Sequence, residues 1–277
     1  KMGQFLHLLT NSGIGLPTDL WVPATKKIKP QFSDQIAAGY ARTFNDKIEV
    51  SLEGYYKTMD NLIEYKDGAS FFDSQTDWQD KVYTGRGWSY GGELLIEKKM
   101  GKTTGWIGYT LSWTNRQFDS INFGETYPYR YDRRHDIGIA LTHEINDNVN
   151  IGIVWVYGTG NAVTLGLESY SSFNTSLVDD IYNFSLNNNF GNNFSTVDHI
   201  EGRNNYRMPN YHRLDISINM KKEKKWGERT WSFGLYNAYS RQNPFYLEFT
   251  RNENGNPQLS QFSLFPLIPS FTYSFKF

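Results

Sequence analysis

The chain has 277 residues, a formal net charge of −1 and no cysteine, which excludes disulfides, thiolate nucleophiles and cysteine-ligated metals and leaves no nucleic-acid footprint. Aromatic residues make up 17% of it, yet mean hydropathy is only −0.59 and no apolar run approaches the roughly 18 residues of a spanning helix. A membrane β-barrel is compatible with both values, because lipid-facing and lumen-facing residues alternate along each strand and average to a soluble-looking hydropathy.

Taken in chain order, the abrupt opening KMGQFLHLL fits processing or truncation better than a natural cytoplasmic start, and residues 4–9 read as the outward end of a strand. A period of two then takes over. Ile36, Ala38 and Tyr40 oppose Gln35, Ala37 and Gly39; Ile48, Val50, Leu52 and Tyr56 oppose Glu49, Ser51, Glu53 and Lys57. Trp88, Tyr90, Leu94 and Ile96 face away from Ser89, Gly91, Glu93 and Glu97, and Ile107, Tyr109, Leu111 and Trp113 face away from Trp106, Gly108, Thr110 and Ser112. The alternation runs on through 137–141, 149–157, 214–220 and 231–235 to the terminal SFTYSFKF. Helical spacing competes nowhere over a useful length, so the chain is predicted to be all-β.

The connections sort by length. Short polar turns at 43–47 (TFNDK), 99–103 (KMGKT), 144–148 (EINDN) and 221–228 (KKEKKWGE) alternate with long segments at about 10–29, 66–85, 116–129, 158–210 and 251–259. Outer-membrane barrels place short turns at the periplasmic rim and long loops outside. Aromatic residues near strand ends, such as Tyr56, Trp113, Tyr157 and Tyr239, match interfacial girdles. Nine full strands and one partial strand would leave open edges, which hydrocarbon does not tolerate. The expectation is therefore the C-terminal part of a larger barrel, 1–277 forming one portion of its wall.

Three stretches invite chemistry. In YDRRHD, His135 and Asp136 point to opposite faces of a strand, and His143 lies roughly 26 Å along it from His135, so no metal site is expected. GRGWSYGG, 85–92, has no following helix to complete a phosphate cradle, and its glycines are expected to allow bends or close packing. The lumen-side carboxylates Glu49, Glu53, Glu93, Glu97 and Asp215 alternate with small polar residues, as along a polar wall, and no catalytic residue is assigned. Loop 158–210 is the strongest ligand-contact candidate. There Tyr170, Phe173, Tyr182 and Phe194 would stack on a flat ligand, while Asp179, Asp180 and Asn192 would hydrogen-bond it.

The ordered set of phrases from GQFLHLLTNSGIGLPTDLWVP through YRYDRRHDIGIALTHEINDNVNIGIVWVYGTGNAVT, NYHRLDISINM and WSFGLYNAYSRQNPFYLEF to FTYSFKF resembles the barrel of TonB-dependent outer-membrane receptors of the Bacteroidetes type, over nearly the whole chain. The resemblance implies a 22-stranded antiparallel transmembrane β-barrel in the bacterial outer membrane. This chain would form about its last ten strands, and the N-terminal plug and TonB box would lie elsewhere. It further implies an active transporter, not an enzyme, that imports a siderophore, a cobalamin-like molecule, a glycan or a peptide without a cofactor. The implied partners are the rest of the barrel with its plug, the TonB–ExbB–ExbD complex, the barrel assembly machinery, outer-membrane lipid and a surface lipoprotein. Phe271, Tyr273, Phe275 and Phe277 match the terminal aromatic strand that the assembly machinery reads by β-pairing. A passive porin or a surface-binding barrel is the alternative reading of the same pattern.

Overall fold

The computed structural model describes residues 1–277 except 12, 14–18, 68, 70–76, 167, 174–193, 255 and 256; for 168–173, 194–198 and 257 it describes backbone alone. One antiparallel sheet holds eleven strands: the two-residue Tyr127–Pro128 pairs off the main path with Asn115 and Arg116, and ten strands form that path, in which chain neighbours are sheet neighbours. They are β1 (Met2–Gln4), β2 (Gln31–Phe44), β3 (Ile48–Tyr65), β4 (Val82–Lys98), β5 (Thr103–Gln117) and β6 (His135–Asn146). β7 (Val149–Gly158), β8 (Tyr211–Lys224), β9 (Gly227–Tyr236) and β10 (Ile268–Lys276) complete it. No α-helix occurs among the described residues. The predicted opening strand divides at Phe5: Met2–Gln4 joins the sheet against 31–33, whereas Leu6–Thr10 pairs with Asp19–Pro23 in a separate hairpin.

Connections alternate as expected. Two to four residues link β2–β3, β4–β5, β6–β7 and β8–β9, while the long segments 5–30, 66–81, 118–134, 159–210 and 237–267 all leave the opposite rim. The last is far longer than the predicted segment 251–259, because Pro244–Arg251 is not a wall strand but pairs with Pro257–Ser263 in its own hairpin. The other local hairpins, including Glu168–Phe173 with Phe194–His199, also belong to these segments.

Register carries side-chain parity across the wall. The row Tyr40–Leu52–Leu94–Tyr109–Ile137–Tyr157–His212 follows directly paired positions on seven strands. A second row, Ile96–Ile107–Ile139–Trp155–Leu214, runs beside it, and Ile153–Ile216–Leu235 continues toward the turn rim. Every member of the two rows except His212 is apolar or aromatic, because period-two alternation and unbroken pairing keep one face in phase. Much of that face is bare: Ile36 is 72% exposed, Tyr40 68% and Leu52 59%. The other face presents Glu53, Ser89, Thr110, Asp136, Asp215, Ser217 and Ser270. An apolar face left uncovered over a whole sheet, with a polar face behind it, is the design of a membrane barrel wall.

The buried apolar clusters lie at the loop rim instead. Leu9, Val22, Ile28, Ile63, Tyr65 and Val82 pack together, as do Leu62, Phe118, Ile121 and Tyr127, and a third group joins Val163, Met208 and Leu247. Close backbone approach there needs Gly85 and Gly87. A Cβ on Gly85 would lie 2.5 Å from the Phe118 ring, and one on Gly87 would lie 2.8 Å from Leu62. This is the packing role expected for the glycines of GRGWSYGG.

The two faces make opposite predictions for one added charge. Ile153→Arg, at the middle of the apolar belt, will lower bilayer-embedded stability by about 2–4 kcal/mol, and Ser217→Arg on the polar face by clearly less. Denaturant unfolding of the two variants in lipid vesicles compares them; equal losses would contradict the assignment of faces.

Candidate functional site

Above the belt, a β-bulge changes what β3 presents. Asp60 pairs with Arg86, but the next partner pair is Leu62 and Gly85, leaving Asn61 extra. Asn61 adopts φ 58°, a left-handed conformation that asparagine tolerates, and its Nδ2 donates to the Pro30 carbonyl at 2.9 Å. The extra residue reverses parity, so Leu62 and Glu64 face the polar interior and Ile63 and Tyr65 the first hairpin. No period-two reading contains that switch.

Glu64 is 2% exposed and serves as the hub of a loop clamp. Arg116 on β5 approaches its Oε2 at 3.3 Å, the Tyr127 hydroxyl donates to the same oxygen at 2.9 Å, and Arg203 Nε donates to Oε1 at 3.1 Å. Arg203 also pairs with Asp67 at 3.0 Å, and Arg116 lies 3.6 Å over the Tyr129 ring. Burial, with the Glu64 carboxylate beside it, pushes the Tyr127 hydroxyl well above its ordinary range, so it stays a donor. Asp132 forms a second hub, 1% exposed, which accepts from the Thr114 amide at 2.6 Å and pairs with Arg134 and Arg207. Arg130 donates to the Asn11 and Gly13 carbonyls, and Asn204 donates to the Pro128 carbonyl at 2.8 Å. The roots of segments 5–30, 118–134 and 159–210 are thereby tied into one crown.

The crown encloses a cleft of about 800 Å³. Asn11, Lys66, Asp119 and Asn122 supply polar groups to it, and Phe123 and Phe249 supply rings. Phe123 is 95% exposed and has φ 57°, so the turn at Asn122–Gly124 holds a phenyl ring in the open at a backbone cost. Amide, carboxylate and ammonium groups beside exposed rings suit a polar ligand with one flat apolar face.

Of the sequence-predicted ligand residues, three are described by their backbone alone and the rest lie outside the described residues. Tyr170, Phe173 and Phe194 lie on the hairpin of segment 159–210, where Phe173 is the register partner of Phe194. Asp179, Asp180, Tyr182 and Asn192 lie outside the described residues. The terminal residues Phe271, Tyr273 and Phe275 lie on β10, exposed or half-buried, and Phe277 follows it at 99% exposure. His135 pairs with the Tyr109 hydroxyl at 2.9 Å and His143 with Thr103 Oγ1 at 2.8 Å, on different neighbours. Arg133 pairs with Asp136 at 3.2 Å. The Glu64 and Asp132 hubs were missed: Asp132 lies in an aromatic, arginine-rich phrase, but Glu64 has no arginine near it in sequence and one of its partners comes from 139 residues away.

No family model and no curated protein matches the chain. Three solved structures are similar to it in backbone. They are the closed form of the ferric-catecholate import receptor Fiu from K12 E. coli (TM-score 0.49, 12% identity, 90% of this chain and 28% of that one); the unliganded ferric citrate transporter FecA (0.47, 8%, 90% and 31%); and the outer membrane transporter YddB from Escherichia coli (0.45, 10%, 95% and 34%). The chain spans about a third of their length. At these values the likeness is one of sheet shape and carries no functional weight.

Two predictions test the crown. Glu64→Ala leaves the buried Arg116 guanidinium without a carboxylate and Arg203 with Asp67 alone, and local opening around Arg203 will become about 3–5 kcal/mol easier, while Glu64→Gln, which keeps one acceptor oxygen, will cost less. Hydrogen exchange over 200–207 reads both; unchanged protection in Glu64→Ala would mean that the clamp does not hold the loop. The second concerns His7, 1% exposed, which contacts the Lys29 carbonyl through Nε2 at 3.0 Å and leaves Nδ1 without a partner. Burial lowers its pKa below the ordinary 6.5, outweighing the Lys29 hydrogen bond. The unfolded chain therefore binds a proton first as pH falls, so His7 favours the folded hairpin above about pH 6.5 and that contribution fades as pH drops toward the folded value. Exchange of the Leu8 and Leu20 amides, corrected for intrinsic rate, will accelerate between pH 7.5 and 5.5, and His7→Gln will flatten the dependence.

Proposed function

We propose that this chain is the C-terminal wall of a TonB-dependent outer-membrane receptor, which binds a nutrient ligand at its outer loops and imports it to the periplasm. The observation that carries the reading is the apolar belt, uncovered and in phase across the wall, with all long segments on one rim. Short turns at the other rim place it toward the periplasm. The phrases that resemble the receptor family add the transport class.

In this reading the polar face lines the lumen and meets a plug. Glu53 and Glu93 suit that role: they are register partners with no cation bonded to either among the described residues. Lys99 answers the neighbouring pair Glu49 and Glu97 at 2.7 and 3.3 Å, and Arg213 answers Asp215 at 2.9 Å. Like-charged partners cost stability unless something outside the sheet neutralises them. A plug cation would do so. Energy would come from the TonB–ExbB–ExbD complex acting on that plug, and the terminal aromatics of β10 would guide insertion by the barrel assembly machinery. Siderophore, cobalamin-like, glycan and peptide ligands all satisfy the cleft's mixture of rings and polar groups.

Uptake assays in cells with and without the receptor, using a labelled ferric siderophore, cobalamin, an oligosaccharide and a peptide, test the class. Transport of one of them will need the receptor and will stop with a proton uncoupler; receptor-dependent uptake that survives the uncoupler would identify a passive pore instead. In the full receptor, deleting 174–193 will weaken binding of that ligand by about tenfold or more. Phe123→Ala will also weaken it while leaving stability within about 0.5 kcal/mol, because the ring is already in solvent; unchanged affinity in both variants would remove the crown as the binding site.

A further inference from the structure

The turn rim is not uniform. At the β8–β9 hairpin the charges separate by face. Lys221, Glu223 and Glu228 share the lumen side, where Lys221 pairs with Glu228 at 2.6 Å. The belt side carries Lys222 directly opposite Arg229, one step beyond Met220 and Trp231. Cations placed directly opposite each other repel, and neither of these has a carboxylate bonded to it among the described residues. Arg229 Nε is shielded from solvent and has no acceptor.

Aromatic rings surround this cation pair. Arg229 is the register partner of Phe275 on β10. The Phe275 ring lies over Gly227, where a Cβ would come within 2.9 Å of it and 2.3 Å of the Lys276 carbonyl. Phe277 stacks edge-on against Phe275 at 5.4 Å, and Trp226 stands at the hairpin tip, 82% exposed. An indole and phenyl rings at this level suit the boundary between hydrocarbon and headgroups. Two unneutralised cations at the same level suit an anion.

The geometry points to a binding site for the headgroup of an anionic phospholipid, its phosphate held between Lys222 and Arg229 and its acyl chains lying along Met220, Trp231 and Phe275. The site rests on the reading of the wall as membrane-spanning. A phospholipid, not a free anion, is the fitting occupant because the cations sit where the apolar belt ends and the rings continue it. The headgroup also resolves the repulsion between the two cations.

Native mass spectrometry of the full-length receptor released from detergent tests it, with phosphatidylglycerol, phosphatidylcholine and inorganic phosphate as probes. Phosphatidylglycerol will be retained in preference to phosphatidylcholine. K222Q/R229Q will lower its retention by about tenfold and leave phosphatidylcholine unchanged. K222Q alone, at an exposed position that cannot disturb folding, will give an intermediate loss, and K102Q on a neighbouring turn none. Undiminished phosphatidylglycerol retention in K222Q/R229Q would overturn the site. So would inorganic phosphate that binds as strongly and is lost in the same variant, since that identifies a free-anion site. A receptor that stays dispersed without detergent and retains neither lipid would instead contradict the membrane wall itself.

Discussion

The constraint beneath everything else is the antiparallel ladder, continuous across the belt and irregular only toward the rims. Hydrocarbon offers no partner to a backbone N–H or C=O, so a chain can meet lipid only if each such group is paired with a neighbouring strand. Pairing of that kind locks register, and register locks parity. Once Leu52 faces outward, so do Leu94, Tyr109 and Ile137, and Glu53 with Glu93 must face in. A slip of one residue at any hairpin would turn a strand's apolar set into the lumen and its carboxylates into lipid. Short turns beside β2, β4, β6 and β8 leave little slack for such a slip.

The protein inverts the usual placement of a core. Across the belt its large apolar side chains are exposed or half-buried, and the surrounding lipid does the covering. Only at the loop rim, where water replaces lipid, does the chain bury Leu9, Phe118, Ile121 and Val163 among themselves. There the loops also need polar anchors, since long segments cost entropy to order. Glu64 provides one by gathering Arg116 and Arg203 from distant segments, and Asp132 another by joining the distant Arg207 to its neighbour Arg134. A buried carboxylate is expensive alone and becomes tolerable with its hydrogen-bonding capacity filled, so the hubs and the ordering of the loops depend on each other.

How much of this could be read from the residues follows from the range of the forces involved. Wall strands were legible because alternation is local: Ile151, Ile153 and Trp155 announce their own face. Turn and loop sorting was legible from composition, and the early placement of His135 and Asp136 on opposite faces needed parity alone. The bulge at Asn61 was not, because one extra residue changes the meaning of every position after it while leaving the sequence pattern intact. The length of segment 237–267 was hidden for a related reason. Its hairpin, with Leu247 opposite Gln261 and Phe249 opposite Leu259, alternates like a wall strand although it pairs only with itself. The Glu64 hub was out of reach, since nothing in EYKDG reports an arginine far along the chain.

Strand length then explains why crown and wall divide where they do. On β7 the outward set from Val149 to Tyr157 spans eight residue steps, roughly 26 Å along the strand, and about 20 Å of height at a barrel tilt near 40°. Aromatic girdles at each end bring that close to the roughly 25 Å apolar band of outer-membrane barrels. β3 has 18 residues and β4 has 17, far more than the band requires. The surplus lies wholly toward the loop rim, because the turn at 45–47 fixes the other end of β3. It is in this surplus, past Tyr56 and Tyr90, that the bulge occurs and the clamp begins. A parity switch inside the belt would put Glu64 or its equivalent into lipid; beyond the belt it costs nothing in solvation. The bilayer thickness therefore sets the lowest level at which the sheet can abandon strict alternation, and the crown starts one short step above that level.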